Sequence, residues 1–327
     1  MNYIVLGDAI SPPPPPPPPA ATRTVFDWPF ASNSPWNIPI GDATYANNSD
    51  IHRPNNVINT ENWTTAICQA VATDPLVAVT NLGNGGDASI RIAPMASTAA
   101  GRRGNTDSGR DKHFWCVQPD GRTCHEFWHF NRTGTNTATC EWRRQRDIVT
   151  GFGFVGYGCT ASDGSNGGGM MREWELILGT RDRFKHAICL ALSRESLKAT
   201  APRYIWPATN EDTDFSLYAG TIPMGALLAI PKSVNLDGLG LNSHALALAQ
   251  ALQDFGGYIT KSAGTDQLTF YAEVGLNAAA SAVISSIRSQ LGTIAQQLRW
   301  VTDNAENSVG GGAPYPSSLY PAPDPVP

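Results

Sequence analysis

The chain has 327 residues, a net charge of −5 and only 16% charged residues, against roughly 25% in an ordinary globular chain, with 31 glycines and 25 prolines. Its 23 basic residues are diluted apart from Arg143, Arg144 and Arg146, which excludes the broad basic field of a nucleic-acid binder. No run approaches the roughly 18 apolar residues a membrane helix needs, so no membrane-spanning helix is expected.

Residues 1–10 hold a strand-like Tyr-Ile-Val-Leu core, followed by Ser11 and eight consecutive prolines, Pro12 to Pro19. Consecutive prolines enforce polyproline II, a semi-rigid spacer of roughly 25 Å at about 3.1 Å per residue. An isolated strand cannot satisfy its own backbone, so this arm, residues 1–24, reads as a docking peptide for another chain's sheet edge or as a tail without structure. The arm also lacks the basic and long apolar regions of an export signal.

The body, residues 25–312, opens on the aromatic, proline-fixed stretch Phe26-Asp27-Trp28-Pro29-Phe30 and Ser34-Pro35-Trp36-Asn37. Short apolar runs at 75–80 and 88–93 follow, separated by Asn/Gly turns, and residues 113–117, 124–130, 173–178 and 186–192 read as strands. The glycine-rich stretch 151–169 reads as a mobile or ligand-facing loop. Helices are predicted over 242–255 and 277–291, each opened by a capping Asn. A proline-rich tail occupies 313–327. The fold expectation is therefore mainly β, a β-sandwich or jelly-roll-like body with two or three peripheral helices.

Six cysteines occur, and residues 115–124 read as a hairpin with Asp120-Gly121 at its turn. A turn centred on Asp120 pairs 118 with 122, 116 with 124 and 114 with 126, so a Cys116–Cys124 disulfide is the expectation. Reduced core cysteines and zinc are the alternatives, although no C-x-x-C pair exists and the list of metal candidates stays empty. An oxidised chain without an export signal suits a virion part, placing the protein outside cells or on a virion surface.

That register gathers His113, Trp115, His125, Phe127 and His129 on one face. Flat aromatics beside hydroxyl-bonding imidazoles are what a saccharide groove requires, so His113, Trp115 and His129 become candidate glycan-binding residues. Ordinary core is the competing reading of the same face. A polysaccharide lyase needs a neutraliser for a uronate carboxylate and a His or Tyr base, for which Arg143, His125, His186 and Tyr204 are candidates. A glycoside hydrolase needs two carboxylates, drawn from Glu126, Glu141, Glu173, Glu175 and Asp214. No P-loop, dinucleotide fingerprint or nucleophile elbow is present, and no cofactor is expected.

Ser34-Pro35-Trp36-Asn37, the segment 119–128, Lys185-His186-Ala187, Trp206-Pro207-Ala208-Thr209, Ile222-Pro223-Met224-Gly225, residues 251–258, Val301-Thr302-Asp303-Asn304 and Ser308-Val309-Gly310-Gly311-Gly312 resemble, in order, a family of secreted bacterial proteins that look like glycan-associated exoproteins. The resemblance covers roughly residues 26 to 312. The chain departs from it at the start, where the arm resembles the N-terminal anchor of a bacteriophage tail fibre or tailspike. The expectation is a receptor-binding protein docked to a virion or tail protein through residues 1–20 and recognising host surface polysaccharide, with or without depolymerase activity. A secreted lyase or hydrolase, and a structural decoration protein without ligand, are the alternatives; a homo-oligomer is compatible with all three.

Overall fold

The computed structural model describes residues 26–46, 51, 53–106, 109–154, 156, 158–177, 184–316 and 319, so the expected anchor arm lies outside the described residues. The body is mainly β, with thirteen described strands in two mixed sheets. The first sheet takes β1 (Asn55–Asn59), β9 (Ile188–Leu192), β10 (Leu227–Ala229), β11 (Gly257–Ser262), β12 (Gln267–Tyr271) and β13 (Arg299–Trp300), in the order β1-β12-β9-β11-β10-β13. The second takes β2 (Thr65–Gln69), β3 (Leu76–Asn84), β4 (Ala88–Arg91), β5 (His113–Val117), β6 (Thr123–Trp128) and β8 (Thr137–Asp147), in the order β2-β5-β6-β8-β3-β4, with β7 (Asn131–Gly134) added to β8.

Strands β9 to β12 of the first sheet and β2, β5 and β6 of the second are buried on both faces, whereas β3 exposes alternate residues, and strand alternation sorts the buried side chains into three apolar layers. Trp115 and Val117 of β5 and Cys124 of β6 meet Cys189, Ala191, Tyr258 and Tyr271 of the first sheet in the middle layer. Phe114, Cys116 and Phe127 point the other way, into a layer with Val77, Val79 and Phe130. Ile188, Leu190, Leu192 and Ile259 face a third layer, roofed by α2 (Ser243–Asp254), α3 (Ala278–Arg288) and α4 (Leu291–Gln297). The two predicted helices begin where their capping residues place them. Asn242 accepts from the amides of His244 and Ala245, and Asn277 from that of Ala280, satisfying donors a helix start leaves open.

Three local expectations are corrected. Residues 173–177, read as a strand, form the short helix α1 (Glu173–Ile177), whose Glu175 and Leu176 are buried. The described part of the 151–169 stretch is largely interior rather than ligand-facing: Ser162 and Ser165 are fully enclosed, and added Cβ atoms at Gly167 and Gly168 would lie 2.6 Å from the rings of Trp115 and Trp36. The hairpin register is shifted by one. Gln118 N–H donates to Thr123 O, leaving a four-residue loop, and Asp120 carboxylate oxygens accept from the Arg122 and Thr123 amides and the Thr123 hydroxyl.

Candidate functional site

A one-residue slip exchanges the faces of one hairpin strand, and that separates the predicted groups. Cys116 pairs with His125 and Val117 with Cys124, so Cys116 and Cys124 point into different layers and cannot form the expected disulfide. All six cysteines are free and buried. Cys116 instead sits opposite Cys68 on the parallel strand β2, with the two thiols hydrogen-bonded. Trp115 is completely buried in the middle layer and offers no sugar platform.

The five candidate catalytic residues also scatter. His125 shares the outer face of β6 with Phe127, its Nδ1 accepting from Arg143 at 3.0 Å; burial and that guanidinium push its pKa down to about 4. Arg143 is held in turn by the carbonyls of Gly85 and Gly86. Glu126 lies on the opposite face, completely buried, accepting from Arg146 Nε at 2.8 Å and from the Ser165 hydroxyl. Tyr204 is exposed, its backbone bridged to Met224.

His186 belongs to a separate buried cluster. Its Nε2 is 3.0 Å from Glu175 Oε1, and its Nδ1 is 2.9 Å from the Ala187 carbonyl. Glu175 Oε2 accepts from the Arg172 amide, while Glu273 accepts from the Glu173 and Gly101 amides and pairs with Arg172. All four carboxylate oxygens are therefore answered. Burial lowers the His186 pKa, but the Glu175 carboxylate outweighs it and the net shift is upward. An imidazole with an oxygen at each nitrogen is a closed structural arrangement, with no ring atom left for a ligand.

The third cluster differs in kind, and it includes two of the predicted glycan residues. His113 opens β5 on its inner face, at the seam where the middle layer reaches the surface. Opposite it, β11 carries a bulge between Ile259 and Lys261. Strict alternation would aim Lys261 at the helical layer with Ile259. The extra residue turns it instead to register with Ala191, on the inner face beside Tyr271.

Lys261 is only 6% exposed, yet its sole hydrogen bond among the described residues runs from Nζ to the Trp63 carbonyl at 3.2 Å. Its Nζ stands 4.7 Å from the Tyr271 ring centroid. Burial pushes the ammonium pKa down, against the opposing pull of Cys189, Asp111 and Asp212. Burial, with Cys189, Asp111 and Asp212, holds the Tyr271 phenol well above its ordinary value. His113 Nε2 lies 3.4 Å from Asp111 Oδ2, and its buried Nδ1 has no hydrogen-bond partner among the described residues. Burial and the Lys261 charge bring His113 down to about 4, so the imidazole is neutral near pH 7. Burial raises the Asp111 carboxyl, but the His113 hydrogen bond and charge prevail and hold it at about 2.

Around this seam the surface is aromatic. Trp63 is 43% exposed with the Arg110 guanidinium 5.8 Å from its ring, and Phe215 is exposed with Arg203 at 4.7 Å. The Trp128 indole hydrogen-bonds Asp111 and stacks on His129 at 3.7 Å, and His129 reaches Glu141 at 2.9 Å. A small pocket is lined by Asn62, Thr64, Lys112 and His113. Sequence reading placed His113 and His129 near saccharide but missed Trp63, Asp111, Lys261 and Tyr271. The available signal was a lone lysine in the otherwise uncharged strand GYITKS.

Among the described residues no group of histidines, cysteines and carboxylates is arranged to hold a metal ion. Comparisons of the chain with family models, with curated proteins and with solved structures found no match.

Proposed function

We propose that this protein recognises surface glycan, as a receptor-binding component of tail-fibre or tailspike type, and that saccharide lies along the seam beside Trp63. The observation that carries this reading is the pairing of an exposed indole with a buried ammonium through the indole residue's own carbonyl. Pyranose faces stack on flat aromatics while hydroxyls and carboxylates need donors, and here one residue presents the platform and fixes the donor. The ordered resemblance to glycan-associated exoproteins and the polyproline run Pro12 to Pro19 support the wider setting, in which residues 1–20 dock to a virion or tail protein.

Affinity electrophoresis of the full chain through gels containing alginate, polygalacturonate, hyaluronan or dextran tests the binding. Retardation in at least one gel, reduced in Trp63→Ala while thermal melting stays unchanged, is the expected result. Equal migration of wild type in every gel and in a saccharide-free gel overturns the reading. For the docking segment, a chain starting at Thr22 should melt cooperatively yet fail to enter its assembly.

A further inference from the structure

We propose that the seam cleaves acidic polysaccharide by β-elimination, with Lys261 receiving a uronate carboxylate, His113 taking the C5 proton and Tyr271 protonating the departing O4. This rests on the glycan reading above and adds its substrate class and reaction.

An ammonium carries three donors, and Lys261 spends one, on the Trp63 carbonyl. No described carboxylate pairs with it, although burial makes an uncompensated charge costly. The bulge that turns Lys261 inward therefore holds an amino group with unspent donors at the end of an otherwise apolar layer. A planar carboxylate can answer them. The exocyclic carboxylate of a uronate has that shape, and its ring follows it past the indole toward His113 and Tyr271.

Two further groups are open in the complementary sense. The neutral His113 directs Nε2–H at Asp111, which leaves the Nδ1 lone pair without a donor. The Tyr271 hydroxyl has no hydrogen-bond partner among the described residues, and its environment keeps the proton on oxygen. Base, carboxylate neutraliser and acid are the three parts that elimination requires.

The electron count closes without a co-reactant. Lys261 neutralises the carboxylate and makes the C5 proton acidic. His113 Nδ1 takes that proton, the C5–H electron pair becomes the C4=C5 double bond, and the C4–O bond breaks with its pair on oxygen. Tyr271 gives its proton to that oxygen, and water returns His113 and Tyr271 to their starting states. Asp111 touches only His113 and serves as a positioning residue.

The test incubates the full chain with alginate, polygalacturonate or hyaluronan, following the ultraviolet absorbance of the unsaturated uronate, new reducing ends and gel retardation in parallel. Wild type should generate the chromophore from at least one polymer and none from its carboxyl-reduced form. Tyr271→Phe and Lys261→Met should each lower that rate by about 10²-fold or more, with melting temperatures no lower than wild type. Should one variant fail to fold, the other still decides. Retardation without chromophore, or reducing ends without chromophore, overturns the elimination while leaving glycan recognition standing. Equal rates in folded variants overturn the assignment of residues. No retardation by any polymer removes both.

Discussion

Two buried clusters of ionisable side chains stand in this body, each holding a histidine and a carboxylate, and they differ in closure. Around His186 every nitrogen of the imidazole and every oxygen of Glu175 and Glu273 meets a partner. Around Lys261 and His113, one ammonium uses a single donor and one imidazole nitrogen uses none of its capacity. Burial and charge are common to both. What distinguishes a site from a staple is the unspent valence, because a closed network has nothing left to offer a ligand.

The largest test of that contrast is stability. Glu175→Ala strips His186 Nε2 and the Arg172 amide of their buried acceptor and should cost about 3 to 5 kcal/mol in urea unfolding. Lys261→Met removes a poorly answered buried polar group at similar volume and should leave stability equal to wild type or higher. A Glu175→Ala chain as stable as wild type would break the comparison.

The pH profile sharpens it next. The folded pKa of His113 lies near 4, below its ordinary 6.5, so its contribution is complete above about pH 6.5 and disappears as pH falls through 4. That gap corresponds to about 3 kcal/mol. His125, also brought to about 4, acts in the same window, so His113→Gln should remove part of the acid sensitivity rather than all of it. His186 has the opposite sign: its folded pKa is raised, so its stabilisation is complete below 6.5 and is lost as pH climbs through the folded value. Melting temperature measured from about pH 4 to 9 should show His113→Gln flattening the acid limb and His186→Gln the alkaline one. Identical profiles for the two variants would show that closure makes no thermodynamic difference.

The smallest expected effect falls on the rim. Trp63→Ala should change stability by no more than about 0.5 kcal/mol, since the ring is 43% exposed and the bond from Lys261 goes to its backbone. Trp115→Ala, by contrast, should cost about 3 to 5 kcal/mol, because that ring is wholly enclosed. Thermal melts of the two variants side by side separate platform from core.

Much of the scaffold was legible in the sequence, and the reasons are local. Asn242 and Asn277 mark helix starts through their own side chains, and apolar runs such as residues 188–192 can be buried only as central strands. The hairpin at 113–128 was recognised, but its register depended on whether the loop held three residues or four. Asp120 decides that by capping two amides of the longer loop, a preference no periodicity reveals. The slip moved Cys124 away from Cys116 and sent His125 to the outer face. His113 and His129 kept their association with the aromatic surface because Asp111 and Trp128 hold them there. Lys261 and Tyr271 come from strands more than 140 positions further along the chain, and a bulge aims the lysine, so pattern alone had no means of joining them to His113.

The glycine segment between the sheets has a kinetic consequence. Thr65 Oγ1 donates to the Asn166 carbonyl on the side of the second sheet, and the Cys189 amide donates to the Gly169 carbonyl on the side of the first, so this thread is tied to both. Trp115 and Trp36 close on Gly167 and Gly168 with no room for a Cβ. Two packed sheets cannot admit a strand of backbone afterwards, so the thread has to be seated before they dock. Its tie to Thr65 spans about 100 positions of sequence, so the docking step is expected to be slow. Gly168→Ala should accordingly retard refolding in stopped-flow experiments more than it accelerates unfolding. A variant whose whole loss of stability appears in the unfolding rate would show that the sheets meet first and the thread settles later.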